Sequence, residues 1–371
     1  YFFAGHGIGG SSSTPRPDAG RDEALYELSL GLSRLPSGPS DAPWLADRAL
    51  RHLLTDPAGD MKRAEIRTDR LFAPERASKR QGQVVIHAFE TAPSPQLQAL
   101  QQLLVQALIG RLARIPDSGA LTRWGSALHD RFLLPRVLWE DLRSVVQDLN
   151  AVGYPFQLEW FEPFLALRFL RLGAVPIGEI TLELTTALEP WPVLAEELAG
   201  GGIARFIDTA NERVQVSLKG LTPDRYALVC NGERVPLRQV GDLGEYVAGV
   251  RYKVVNPSAT MHPTVLPVDA LVFDLLDLWT DRVVGGCTYL PGRSELWGPV
   301  GYPVASPAPR ASDFAGELPP PVVALPEPSW ATRPWSRPPR FLPRGSGFAS
   351  IPAPSPRRDE RPYLLDLIQQ A

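Results

Sequence analysis

The densest set of chemically capable side chains lies in Lys62-Arg63-Ala64-Glu65-Ile66-Arg67-Thr68-Asp69-Arg70-Leu71-Phe72. As a strand, this segment places Arg63, Glu65, Arg67 and Asp69 on one face by the two-residue period. A face that alternates positive and negative charge is costly to bury, so it either meets solvent or lines a polar cavity. In a cavity, carboxylates hold a divalent cation and guanidiniums neutralise a transferred phosphate, the requirements of ATP-dependent ligation. A second strand follows at Val84-Val85-Ile86-His87-Ala88-Phe89-Glu90. Its two faces, Val85, His87 and Phe89 or Val84, Ile86 and Ala88, offer no carboxylate before Glu90.

Other reactive side chains are sparse. The two cysteines, Cys230 and Cys287, make neither a disulfide framework nor a metal cluster. All five histidines, His6, His52, His87, His129 and His262, precede Cys287. Cys230 precedes His262 and Asp269, but it sits in a hairpin strand, away from any helix N-terminus that would lower its pKa. Both thiols therefore read as small buried hydrophobes. No HExxH or paired CxxC occurs, which argues against zinc. Gly5 to Ser13 is glycine- and serine-rich, but it lacks the Lys-Ser/Thr ending of a phosphate loop. His129-Asp130-Arg131 reads as a polar cluster at a helix end, with capping and ion pairing as its role. His262 precedes Pro263 and reads as a turn residue.

These side chains must be positioned by helices first and strands later. Leu25, Leu28, Leu32 and Leu35 form one stripe of a helix over Arg21–Leu35, and Pro43–Leu54 reads as a second helix. Ser94-Pro95 is a cap and a first-turn proline opening a long helix, Gln96 to Ile115. Trp124 to Pro135 reads as a compact connector, and Val137 to Asn150 as an amphipathic helix stopped by Gly153. From about residue 174 the pattern becomes short β-rich runs: Ile177–Thr185, Val214–Lys219, Arg225–Cys230, Glu233–Leu237, Glu245–Tyr252 and Ala270–Leu276. Asn231-Gly232 is a two-residue hairpin signal. A short helical interruption is expected near Trp191–Leu198. From Gly298 to Arg361 the chain is proline-rich and expected to be mostly unstructured, and Tyr363 to Ile368 is expected to dock back as a strand.

The bulk numbers exclude several classes. The chain has 371 residues, a net charge of −3, 44% hydrophobic and 21% charged residues, and 39 prolines. That charge carries no nucleic-acid footprint. No apolar run is long enough for a membrane span, and no signal peptide is expected at Tyr1. Two cysteines suit a reducing compartment, so the expected location is cytoplasmic.

The motifs then carry a resemblance. They are Ala24-Leu25-Tyr26-Glu27-Leu28, Arg63-Ala64-Glu65-Ile66 with Asp69, and Arg123-Trp124-Gly125 followed by Leu128-His129-Asp130-Arg131-Phe132. Ala187-Leu188-Glu189-Pro190-Trp191, Glu212-Arg213 with Gln215-Val216, and Cys230-Asn231-Gly232 continue the series. Gly244 to Tyr252, His262-Pro263-Thr264, Phe273-Asp274-Leu275 and Gly285-Gly286-Cys287-Thr288-Tyr289 complete it. With these, the chain resembles the C-terminal part of the large bacterial DUF2126 amidoligase family. Many members of that family begin with a transglutaminase-like domain and are named transglutaminase family proteins.

The resemblance implies a relation to glutamine synthetase and glutamate–cysteine ligase, whose antiparallel sheet binds Mg-ATP and the acid to be activated. The implied reaction is acyl-phosphate formation followed by amine attack. The implied catalytic residues are Arg63, Glu65 and Asp69. Lys62, His87 and Arg131 are the implied cofactor-binding residues, and Glu65 and Glu90 the implied Mg²⁺ ligands. Where the family carries a Glu and an Arg on one strand face, this chain has Val85 and His87, and Lys62 stands where the family has a His. The resemblance also implies a transglutaminase-like domain and a Gly-rich nucleotide segment ahead of Tyr1.

The expected fold class is α+β. Residues 1–172 would be the C-terminal half of a ligase-like domain with an antiparallel sheet and helices. Residues 173–297 would be a β-rich, sandwich-like module, and 298–371 a Pro-rich tail with a short docking segment at its end. The expected function is ATP-dependent amide, peptide-type bond formation, degenerate or incomplete in this chain. One rival is an active amidoligase completed by an N-terminal half. The other is a non-catalytic peptide- or partner-binding module. The expected partners are a peptide or amino-acid substrate, the transglutaminase-like domain, or proteins of the same operon, with no nucleic acid and no membrane.

Overall fold

A computed structural model describes residues 3, 22–35, 44–51, 66–71, 78, 81–92, 94–117, 121–125, 127–189, 193–200, 202–208, 210–254, 264–291, 340–344, 347–348 and 361–369. Its helices are α1 (Asp22–Ser33), α2 (Leu45–Arg51), α3 (Pro95–Arg114), α4 (Ala127–Phe132), α5 (Pro135–Ala151) and α6 (Glu162–Arg168). The expected connector from Trp124 to Pro135 thus holds a helix of its own, α4. None of these helices is long and apolar enough to cross a membrane.

The strands begin with a short pair, β1 (Ile66–Arg67) and β2 (Val85–Ile86). They continue with β3 (Arg171–Ile177), β4 (Ile180–Ala187), β5 (Val193–Ala199), β6 (Gly202–Ile207), β7 (Asn211–Lys219), β8 (Tyr226–Cys230) and β9 (Glu233–Arg234). The remaining strands are β10 (Arg238–Gln239), β11 (Tyr246–Lys253), β12 (Leu271–Asp277), β13 (Arg282–Leu290), β14 (Arg340–Arg344), β15 (Gly347–Phe348) and β16 (Leu364–Asp366). The chain is therefore α+β, as its sequence pattern suggests.

Two six-stranded sheets face each other. One has the order β10-β11-β7-β4-β3 with β16 added to β11, and the other β14-β13-β12-β8-β9 with β15 added to β13. Period-2 alternation turns Leu182, Leu184, Val214, Val216, Leu218, Ala248 and Val250 of the first sheet inward. They meet Leu228, Cys230, Leu271, Phe273, Leu275 and Cys287 of the second in a single core. Gly286 belongs where β13 passes close to β12 of the same sheet, because a Cβ there would lie 3.0 Å from the Phe273 carbonyl carbon. Asn231 (φ 50°) and Gly232 (φ 89°) form the left-handed pair that the hairpin between β8 and β9 requires.

A helical layer covers the outer face of the first sheet. Leu97, Leu100, Leu104 and Ala107 of α3 pack with Leu138, Leu142, Val146 and Leu149 of α5, and with Phe156, Phe161, Phe164 and Phe169. Ser94 caps α3, its hydroxyl accepting from the Leu97 N–H at 3.3 Å, with Pro95 in the first turn. Helix α5 has no side-chain cap of its own. Its Arg136 N–H instead donates to Gln215 Oε1 on β7 at 2.9 Å, so the sheet caps the helix. Leu134 and Val137 pack with Val240, Val247 and Tyr363, which fixes the start of α5 on the sheet.

Two expectations need correction. Trp191–Leu198 was expected to be helical, but its described part forms strand β5, paired antiparallel with β6 around Gly200 (φ 55°). The run of helix formers, Leu194–Ala199, is too short to hold a helix in water, and the adjacent strand supplies the hydrogen bonds. Of the charged strand expected over 62–72, the described residues 66–71 are strand at Ile66–Arg67 and turn at 69–71, while 62–65 and 72 lie outside the described residues. There the Leu71 N–H donates to the Thr68 carbonyl at 2.9 Å. Within the proline-rich stretch, Arg340–Arg344 pairs with β13 and Leu364–Asp366 runs parallel to β11. Residues 292–339 lie outside the described residues.

Candidate functional site

Of the residues singled out in the sequence, Lys62, Arg63 and Glu65 lie outside the described residues, as do His6, His52, His262 and the Gly5–Ser13 segment. Asp69 is ion-paired to Arg67 at 2.8 Å, two residues back. Val85 is half-buried and opposite Arg67, while His87 is exposed beyond the end of β2. Glu90 is exposed and bridges to Arg168 at the end of α6 at 3.1 Å. Arg131 lies over the Trp124 ring, 5.1 Å from its centroid. Asp69, Glu90 and Arg131 thus each engage their own neighbourhood. Among the described residues no group of three His, Cys, Asp or Glu side chains converges to hold a metal ion. The described donor set by itself therefore does not fit a protein-held Mg²⁺ ion.

Both thiols are buried, as their sequence context suggests. Cys230 and Cys287 both pair with Phe273, on neighbouring strands, and are fully buried. Burial pushes the Cys230 thiol well up, helped by the nearby Cys287 and Asp274.

The polar convergence lies instead on the outer face of the first sheet, under α5 and α6. Cross-strand register places Glu183, Ser217 and Val247 in one row, and Thr185, Gln215 and Gly249 in the next. Between this face and the helices lies a cleft of about 370 Å³. Arg136, Arg171 and Lys219 supply its positive charges, Glu162, Glu183 and Glu245 its negative ones, and Trp139, Leu165 and Phe169 an apolar wall. Arg136 reaches Glu245 through Nε at 3.0 Å and pairs with Glu140 as well. Lys219 reaches the other Glu245 oxygen at 3.4 Å, and Arg171 reaches Glu183 at 3.1 Å. Burial pushes the Glu245 carboxyl up, but Arg136 and Lys219 together hold it below its ordinary range. Burial, with Glu159 nearby, pushes the Glu162 carboxyl above its range. A cleft holding carboxyls of opposed shift is where proton-transfer and substrate-binding roles are sought.

The next row of the same face carries a buried ionic chain. Arg213 on β7 and Arg251 on β11 are directly opposed, a like-charge pair that needs intervening acids. Asp130 of α4 supplies the first, 2.9 Å from Arg213, with both side chains fully buried. Arg213 also donates to the Asp130 backbone carbonyl at 2.9 Å. Glu189 binds Arg251 at 2.8 Å and Asp366 binds it at 3.3 Å. Burial pushes the Asp130 carboxyl up against the pull of Arg213, and burial pushes the Arg213 guanidinium down against the pull of Asp130 and Glu189. Asp130, Glu189, Arg213 and Arg251 come from separate sequence motifs, which the fold brings to one seam.

Sequence reading assigned no role to any cleft residue, although Gln215, Glu245, Tyr246 and Val247 fall within the motifs of the family resemblance. The available signal was the unbroken alternation of polar residues, Arg213, Gln215, Ser217 and Lys219 on β7 and Glu183 and Thr185 on β4.

A family model described as "Putative amidoligase enzyme (DUF2126)" matches residues 1–306. No curated protein and no solved structure matches the chain.

Proposed function

The chain belongs to the DUF2126 family, and on that premise we propose that it serves ATP-dependent amide bond formation as the part that holds the amino acid or peptide to be joined. The substrate site is the cleft between α5, α6 and the outer face of the first sheet. What supports this reading is the lining of that cleft, three cations and three carboxylates beside an apolar wall. Such a lining suits a ligand bearing both an ammonium and a carboxylate.

The pairs Arg171–Glu183 and Lys219–Glu245 include half-exposed cations, with side-chain exposures of 55% and 62%. Exposed pairs are worth about 0–1 kcal/mol each, so a ligand's own charges can replace either partner at little cost. Arg136, clamped by Glu140 and Glu245, keeps the cleft shape fixed while this happens. For Mg-ATP the candidates remain those of the sequence, Glu65 for the metal ion and Arg63 for the phosphates.

The test is calorimetric titration of the protein with free amino acids and short peptides. Lys219→Ala and Glu183→Gln are each expected to weaken binding of the ligand found by about tenfold, the scale of one lost charge-assisted contact. A ligand bound equally well by both variants would overturn the assignment of the cleft.

A further inference from the structure

Residues 361–369 are the last described segment of the chain. They lie beyond the 1–306 match to the family and begin 108 positions after Lys253, the end of β11. They nevertheless complete the first sheet. Strand β10 covers only the Tyr246–Val247 end of the β11 edge. The rest of that edge, Gly249 to Arg251, is filled by Leu364–Asp366 in parallel register.

The contacts converge on the backbone of this segment from three separate elements. The Gly249 N–H of β11 donates to the Tyr363 carbonyl at 2.7 Å. Asp130 Oδ2 of α4 accepts from the Tyr363 N–H at 2.8 Å. Arg238 of β10 donates through Nε to the Pro362 carbonyl at 2.9 Å. Side chains are read as well. Tyr363 enters the apolar pocket of Leu134, Val137, Val240 and Val247, while Leu365 and Leu367 enter the sandwich core. Between them Asp366 meets Arg251.

Main-chain pairing to an exposed edge, with alternate side chains in pockets, is how extended peptides are bound by strand addition. We propose that the β11 edge, with Asp130, Arg238 and Arg251 as its polar rim, is a peptide-docking groove. It recognises an extended segment of the pattern aromatic, any, aliphatic, acidic, aliphatic, and residues 361–369 of the same chain are its occupant. The contacts that hold the segment are all local to it, so the same sequence can bind when supplied in trans. This groove adjoins the cleft assigned to the substrate, sharing Val247 with it, but stands without that assignment.

The experiment uses the full chain carrying Asp366→Arg, which sets like charges against Arg251 and loosens the resident segment. The probe is a fluorescein-labelled peptide of residues 361–369, followed by fluorescence anisotropy. The variant is expected to bind the labelled peptide saturably. A scrambled peptide, or one carrying Asp366→Ala, should bind about tenfold or more weakly. The wild-type chain should bind the labelled peptide far less, because its own segment competes. A folded variant that ignores the peptide, or binds the scrambled one as well, overturns the proposal.

Hydrogen exchange on the wild-type chain gives a second reading that does not depend on the variant folding. The amides of 361–369 should exchange about a hundredfold faster than those of β7, through an opening smaller than global unfolding. Exchange of both at one rate would show a segment that cannot leave, and would also overturn the proposal.

Discussion

Arg213 lies flat across Gly249 of the neighbouring strand, so close that a Cβ on Gly249 would sit 2.6 Å from the guanidinium carbon. The glycine is what lets a fully buried arginine cross β11 to reach Asp130. Gly249→Ala is therefore expected to destabilise the protein by about 2–3 kcal/mol, through overpacking and disturbance of the ion pair. Urea denaturation should show a lower midpoint with an unchanged slope, and an unchanged midpoint would refute the contact.

The Asp130–Arg213 pair makes a second prediction. Removing one partner leaves the other charge buried and uncompensated, so Asp130→Ala should cost about 3–5 kcal/mol. Replacing both, as in Asp130→Leu with Arg213→Met, should recover a large part of that loss. A double variant as unstable as the sum of its singles would show that the two residues act independently.

How much of this was legible beforehand differs by scale. Local signals were readable: Ser94-Pro95 opens α3, Asn231-Gly232 turns the β8–β9 hairpin, and Gly153 (φ 91°) follows α5. Leu-Ala-Glu-Glu-Leu within β5 has helical preference, and only the pairing with β6 overrides it. The ionic seam was not readable, because Asp130 and Arg213 are 83 positions apart and only the docking of α4 joins them. The charged stretch at 62–72 misled through its regular alternation, which pays no heed to the turn at Thr68–Leu71.

The pH response of the cleft follows from Glu245. Its carboxyl sits below the ordinary value of 4.5 in the folded chain. A depressed acid stabilises the fold above its unfolded pKa, and the contribution is lost as pH falls through the folded one. The Tm difference between the wild-type chain and Glu245→Gln should therefore be largest above pH 4.5 and shrink below it. A difference that grows with acidification would contradict the clamp by Arg136 and Lys219.

The thiols give a simple negative control. Cys230 and Cys287 are buried in the sandwich core, and burial raises the Cys230 pKa well above its ordinary value. Ellman's reagent at pH 8 should leave both unreacted in the folded chain and react with both in guanidinium chloride. Rapid labelling of the native protein would mean that the sheets do not pack as described.

The central claim is that this member of the DUF2126 family holds its substrate in the cleft under α5 and α6. Its most direct test is mass-spectrometric detection of an amide product from the protein, ATP, Mg²⁺ and a mixture of amino acids and peptides, with ADP release measured in parallel. The wild-type protein should give product with matching ADP. Lys219→Ala and Glu183→Gln should each lower kcat/KM by about tenfold or more, the loss of roughly one charge-assisted contact. Product formed at the wild-type rate by both variants, or no product and no ADP from the wild-type protein, would contradict the account.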